Sequence, residues 1–431
     1  MKAWDRALEG LSVLAKQRHL LALRDGMIAV VPLILVGSTF LLLGSQKDVI
    51  SQYFPALAQS EAGQWYSSMC PTILIPFRFT MGMLSVYVAF TIAASLAGHY
   101  RMPVLPQGLG AVVALMITIK PSRVPLVEGG KPEWIIPLKQ LGGEGLFLGI
   151  LCGLFTVELS RGVIYLWEKV FPKKEASEEE KQGLSIPSAV AEAFASFLPL
   201  LVVVTAIWAV VYTANIDIYH SLINAMMPLE KMGDTVGCVV VVNFFLHVLG
   251  VAGLHGISVI NGVFFALWQK FLLMNTEAHM AGTPLPVITA YPFYQWFIWA
   301  GGAGTTLPVP FLLLFSRNSH MKRIGKVGLV PTLFNVNEPV LFGLPVVANP
   351  LLAIPFVAAP ITVGIISFLA FSSGLVGRPF IEVPWVLPAF LGAPLCTQDP
   401  RALVLLAVNV MVSALIWLPF LRAYEKKLSS E

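Results

Sequence analysis

The sequence predicts an all-α polytopic membrane protein, with about ten transmembrane helices and two re-entrant hairpins. Three observations carry that prediction. Of 431 residues, 56% are hydrophobic and only 12% charged, and mean hydropathy is +0.77, which leaves too little charge to solvate a soluble surface of this size. The apolar residues fall in runs of membrane-crossing length, with the basic residues at chain ends and between runs. Two further apolar stretches are interrupted by prolines, and irregular backbone at membrane depth is tolerated only where protein or a watery cavity satisfies it. The net charge of +4 is small and describes topology signals, not a nucleic-acid surface.

The elements follow in order. Met1 to Asp25 is charged throughout and lacks a continuous apolar core, so no cleavable signal peptide is expected. Trp4, Leu8, Leu11 and Ala15 recur at helical spacing among Lys2, Arg6, Lys16 and Arg18. They predict a cytoplasmic amphipathic helix over 1–25. Spans at 26–45, 70–98, 103–120, 142–168 and 188–213 form an N-terminal scaffold domain, 26–213. A polar break at 214–235 carries Ile218, Leu222 and Met226 at spacing four, an interfacial linker helix on the outer face. Spans at 236–254, 256–274, 288–315, 346–374 and 402–424 follow. Between them lie the two hairpins, 328–345 with Pro331, Pro339 and Pro345, and 379–396 with Pro379, Pro384, Pro388 and Pro394. Intramembrane polar groups concentrate in this half, so 236–431 is read as the substrate-binding transport domain. Ten spans place both termini on one side. Most of the 28 Lys and Arg lie there, including the 169–186 loop, Arg317 to Lys326 and Arg422 to Lys427, which makes it the cytoplasm.

The chemistry-bearing residues stand out against this apolar ground. Glu338 lies in Leu333-Phe-Asn-Val-Asn-Glu-Pro-Val-Leu-Phe-Gly-Leu-Pro345, and an ionised group at membrane depth is a functional candidate by default. Pro339 suits the first position of a helix, which puts Asn337 or Glu338 at or beside its N-cap. A structural acid capping its own half-helix is the competing reading, against which Asn335, Asn337 and Gly343 add polar and close-approach capacity. His255, in Gly253-Leu-His-Gly256, is flanked by glycines that permit a tight turn and a close ligand; the alternative is a packing histidine. Asn243 and His247 share a helix face and serve either structure or function. Trp385, in Val-Pro-Trp-Val-Leu-Pro, is either an interfacial belt residue or a stacking platform for a sugar ring. Arg78, in Pro-Phe-Arg-Phe-Thr-Met-Gly82, either snorkels or donates to a polyhydroxylated ligand. Gly142-Gly-Glu-Gly145 brings Gly143 and Glu144 to a flexible helix start, where a lipid-headgroup position competes.

Other chemistries find no support. The four cysteines (Cys70, Cys152, Cys238, Cys396) are scattered without a CxxC and read as structural thiols. No zinc-spaced His/Cys cluster, no glycine-rich phosphate loop and no arginine series is present. No metal or cofactor is expected.

At Asn337-Glu-Pro-Val-Leu-Phe-Gly-Leu-Pro345 the chain resembles the membrane IIC component of the bacterial phosphoenolpyruvate:sugar phosphotransferase system, lactose/cellobiose/diacetylchitobiose family. Gly253-Leu-His-Gly256 is similar to the family's Gly-x-His-Gly, Pro384-Trp-Val-Leu-Pro388 to its Pro-Trp-x-x-Pro, and Leu141-Gly-Gly-Glu-Gly-Leu-Phe147 to its Leu-Gly-x-x-Gly-Leu-Phe. Thr80-Met-Gly82 followed by Tyr87-Val-Ala-Phe90 also matches, while Pro-Phe-Arg-Phe departs from the small polar residues the family places before it. The resemblance covers nearly the whole chain. It implies a homodimer, joined through the scaffold domain, in the inner membrane of a bacterium, with two hairpins in a mobile C-terminal domain. The sugar would cross and be phosphorylated on its 6-hydroxyl by a phosphocysteine of a separate IIB protein, itself charged through IIA, HPr and enzyme I. The chain ends soon after the last span without a phosphocysteine domain, which favours the stand-alone cellobiose or diacetylchitobiose type over fused lactose permeases.

On that resemblance, Glu338 accepts the reacting hydroxyl and serves as general base, its pKa raised by burial. His255, beside Gly256, orients the same hydroxyl. Trp385 stacks on the pyranose, and Arg78 and Asn335 bond ring hydroxyls, with Asn337, Gly143 and Glu144 completing the site. The alternative is an ion-coupled sugar or small-molecule carrier without phosphorylation, in which Glu338 would be a proton site.

Overall fold

Long apolar runs leave the backbone no partner but itself, so helices dominate the chain. The computed structural model describes residues 17–125, 130–170, 188–347 and 349–430. The expected amphipathic helix therefore lies largely outside the described residues, as does most of the charged 169–186 loop. Seven helices are long and apolar enough to cross a membrane, or eight if the pair Ile218–Gly233 and Val236–Val251, broken at Asp234 and Thr235, is one span. Val104–Thr118 is a shorter apolar helix. The chain is a multi-pass membrane protein.

Its contacts divide it into two compact units, residues 1–32 with 82–227 and residues 33–81 with 228–431. In the first, the helices Arg18–Ala29, Leu84–His99, Val104–Thr118, Leu146–Val170 and Ser188–Trp208 surround a core rich in small residues, among them Ala22, Ala89, Ala93, Ala97, Ala111 and Ala114. Small side chains let membrane helices approach closely; a Cβ on Gly149 would collide with the Ser85 carbonyl. A short antiparallel ribbon pairs Ser122–Pro125 with Pro132–Ile135.

In the second unit, Gly37 and Gly44 bring the Val31–Tyr53 helix against Met81 and Leu74. Val236–Val251, Gly256–Met280, Pro350–Ser372 and Arg401–Ser430 supply its long helices. Lys270, inside one of them, is paired with Glu230.

Two expected spans are not single helices. The 70–98 run is divided among Glu61–Ile73, Ile75–Phe79 and Leu84–His99, with breaks at Leu74 and Thr80; Pro76 and the Thr80-Met81-Gly82 turn interrupt it. The 288–315 run is helical only over Tyr291–Ile298 and Val309–Leu314, because the intervening Gly301, Gly302 and Gly304 all have positive φ, of 79°, 102° and 84°. The 328–345 segment is the second part of a helix–turn–helix, Ser319–Leu333 followed by Glu338–Gly343. The 379–396 segment is an extended loop leading into Ala389–Thr397.

Candidate functional site

The break in the eighth run creates a buried loop, Trp299 to Thr306, whose backbone must find partners outside a helix. Five side chains from outside the loop supply them. Asn335 Oδ1 accepts from the Gly301 N–H at 2.9 Å and His247 Nε2 from the Gly304 N–H at 2.9 Å. Asn337 Nδ2 donates to the Ala303 carbonyl at 2.7 Å. Trp417 Nε1 donates to the Gly304 carbonyl at 3.1 Å and Ser413 to the Thr305 carbonyl at 2.7 Å. His247 in turn donates from Nδ1 to the Asn243 carbonyl at 2.7 Å, and Asn243 Oδ1 accepts from Trp299 Nε1 at 3.0 Å. Asn243 and His247 are thereby structural.

Two of those side chains come from the turn that presents the acid. Asn335 takes the left-handed conformation, φ 61°, and reverses the chain after Ser319–Leu333. Asn337 sits at the N-cap of Glu338–Gly343 without capping it; both its amide hydrogens go to Ala303 and Thr306. Pro339 opens the first turn. Glu338 is left exposed. The burial expected for it is absent.

His255 is the N-cap of Gly256–Met280. Its Nδ1 accepts the Ser258 N–H at 3.3 Å and lies 2.8 Å from Ser258 Oγ. Glycine is required on both sides: Gly253 has φ 83°, and a Cβ on Gly256 would strike the Leu246 carbonyl. With Nδ1 engaged as acceptor, the neutral ring carries its proton on Nε2. The ring is exposed, so the capping bond fixes which nitrogen remains for a ligand.

His255, Gly256, Glu338 and Trp385 line one cavity of about 520 Å³ in the second unit, within the range of roughly 300–1,000 Å³ usual for small-molecule pockets. Phe342, Phe356 and Leu341 give it apolar walls, and the Trp385 indole is 49% exposed. Asn335 and Asn337 border it, but both N–H donors of Asn335 are taken by the carbonyls of Trp385 and Leu387, at 2.7 and 2.9 Å. The expected bond from Asn335 to a ring hydroxyl is therefore replaced by a bond to protein.

Arg78, Gly143 and Glu144 are not among the residues lining this cavity. Arg78 is exposed on Ile75–Phe79. Glu144 is held by Lys139 at 2.6 Å and by the Tyr219 hydroxyl at 3.0 Å, and Gly143 is buried beside it. The cavity also recruits Tyr291, Gln295 and Trp299, which sequence reasoning passed over. Their spacing of four, just before Gly301-Gly-Ala-Gly304, was the available signal. Among the described residues, no group of three or more His, Cys, Asp or Glu could hold a metal ion.

Residues 24–360 match the family model described as phosphotransferase system, EIIC. This chain belongs to that family. It is 33% identical over 427 residues to the putative permease IIC component YwbA of Bacillus subtilis (strain 168), covering 96% of this chain and 92% of that one. It is 32% identical to the lichenan permease IIC component of the same organism, covering 96% and 91%. Among solved structures it is similar to the transporter ChbC, the IIC component from the N,N'-diacetylchitobiose-specific phosphotransferase system. The TM-score is 0.83 at 28% identity, over 97% of this chain and 96% of that one. The EIIC assignment gives the cavity a context: three of the motifs that carried the resemblance, around His255, Glu338 and Trp385, line it, while those around Thr80 and Glu144 do not.

Proposed function

We propose that this EIIC chain carries a β-linked disaccharide, of glucose or N-acetylglucosamine units, across a bacterial inner membrane, and presents its 6-hydroxyl to the phosphocysteine of a separate IIB protein. One observation carries the reading: an acid, an imidazole and an indole, from segments far apart in sequence, line the same mostly apolar cavity. That is the chemistry a sugar needs. Its apolar ring face stacks on Trp385 while its hydroxyls meet the few polar groups.

Within this reading Glu338 accepts the hydrogen of the reacting hydroxyl and draws its oxygen toward the phosphoryl group. His255, protonated on Nε2, donates to the same oxygen or to its neighbour. The imidazole is thus an orienting donor, and the carboxylate is the group able to take the proton. The product is a dianion, which a site built for neutral sugars releases on the cytoplasmic side.

The segments 328–345, which closes the helix–turn–helix 319–343, and 379–396, which leads into Ala389–Thr397, act as re-entrant elements. Lys322, Arg323 and Lys326 are exposed at the start of Ser319–Leu333, and Val327, Val330 and Phe334 at its end. This polarity gradient along one helix suits an end in water and an end at membrane depth. The chain works as a homodimer with cytoplasmic termini. A binding competition on the purified chain with cellobiose, diacetylchitobiose, lactose and glucose tests the substrate class: a β-linked pair should bind in preference to glucose. Equal affinity for all four would remove the disaccharide assignment.

A further inference from the structure

Trp385 is a wall of the sugar cavity carried on irregular backbone. Its indole is half-exposed, and it stands in a loop between Pro384 and Pro388 with no helix around it. What ties that loop down is backbone. The Trp385 and Leu387 carbonyls both accept from Asn335 Nδ2, while Pro384 and the Leu387 N–H close a turn at 3.0 Å. Proline at both ends fixes φ there, which narrows the conformations open to the short loop.

Asn335 is itself anchored from the other side. Its Oδ1 accepts the Gly301 N–H, it is only 9% exposed, and its left-handed backbone is one that asparagine tolerates better than most residues. Glu338 follows three positions later on the same turn. A single carboxamide thus joins the acid-bearing turn, the glycine loop and the tryptophan loop, and every N–H it owns is spent on doing so.

We propose that Asn335 is a positioning residue for sugar recognition: by binding the Trp385 and Leu387 carbonyls it sets the separation between the stacking indole and Glu338, and so the length of sugar the cavity accepts. This rests on the sugar-site reading above, and it predicts that Asn335 acts on affinity through Trp385.

The test is a double-mutant cycle on the purified full-length chain, reading cellobiose affinity by calorimetry. Asn335→Asp keeps the acceptor for Gly301 and sets a carboxylate against the two carbonyls. Asn335→Gly keeps the backbone conformation and removes all three bonds. Each should weaken cellobiose binding severalfold, to no more than the roughly fivefold loss expected on removing the indole itself. Added to Trp385→Ala, each should cost less than about a further twofold, because the group being positioned is already gone. Added to Glu338→Gln, each should keep its full effect. Losses that multiply equally in both backgrounds would show a merely structural asparagine and overturn the proposal, as would wild-type affinity in both single variants. A wild-type chain that binds none of the four sugars named above would remove the sugar-site reading, and this role with it.

Discussion

Replacing Glu338 by Gln keeps the side chain's shape and removes its charge, so the acid's chemistry separates from its packing. Phosphorylation in the presence of charged IIB should be abolished, whereas sugar binding should weaken by only about 1–3 kcal/mol, the range for a hydrogen bond to a charged group. A purified Gln variant that phosphorylates at the wild-type rate would reduce Glu338 to a helix-end residue. His255 needs two substitutions, because it also caps Gly256–Met280. His255→Ala should lose roughly 1 kcal/mol of stability with the cap, together with binding and phosphorylation. His255→Asn should restore the cap but not the reach of Nε2, leaving a stable and impaired protein; normal transport by that variant would mean that capping is the histidine's whole task. At Trp385, Phe should retain most sugar affinity and Ala should lose roughly 1 kcal/mol. Equal, undiminished affinities would return the indole to the lipid interface. Glu338, His255 and Trp385 were legible in the sequence because a polar or aromatic side chain braced by Gly or Pro is conspicuous in an apolar run. The role proposed for Asn335 was not. Its partners are set by a left-handed turn and by a loop 34 residues away, which no local pattern encodes.

At the scale of elements, the apolar runs located most helices, while the run at 288–315 misled. Its composition is that of a span, and hydropathy is blind to φ. The counter-signal was Gly301-Gly-Ala-Gly304 followed by Pro308 and Pro310, and its cost in lost helix is met by His247, Asn335, Asn337, Ser413 and Trp417. That network makes a prediction about glycine. At Gly302, φ is 102° and a Cβ would lie 2.5 Å from Asn337 Cγ, so Gly302→Ala adds a clash to backbone strain. Gly374 has φ 73° with nothing within 4 Å, so Gly374→Ala adds strain alone. Thermal melts should show the first variant losing more stability than the second, which should cost about 1–2 kcal/mol, and the first should also lose sugar affinity. Equal losses at the two positions, with binding intact, would mean that the loop yields and that its geometry does not shape the cavity.

Across the whole molecule, hydropathy and basic-residue bias gave membrane class and an expected orientation, but not the grouping of helices into units. The boundary at residues 32 and 33 falls inside one apolar helical run, Arg18–Tyr53, with no polar break to mark it. Residues 33–81 join the rest of the second unit through Ser45, whose hydroxyl accepts from Gln398 Nε2, and Asp48, 3.6 Å from His279 Nε2, which only the packing reveals. The same unit offers the surface on which a charged partner would act. Lys322, Arg323 and Lys326 are exposed on the first turns of Ser319–Leu333, the helix that leads into the Glu338 turn. Under the proposed function a IIB protein brings its phosphocysteine to the hydroxyl beside Glu338, and we propose the cationic end of this helix as the landing site for an acidic rim. Arg317 is a poorer choice for mutation, because Glu425 accepts the N–H groups of Arg317 and Asn318 and bonds Ser316 Oγ at 2.6 Å; a glutamate there would disturb the fold of the loop. Reversing Lys322, Arg323 and Lys326 to glutamate should therefore slow phosphorylation by charged IIB about tenfold or more at low salt, leave cellobiose affinity unchanged, and flatten or invert the salt dependence of the rate, as electrostatically steered encounters require. Phosphorylation kinetics identical to wild type across a salt series would exclude this helix as the docking surface.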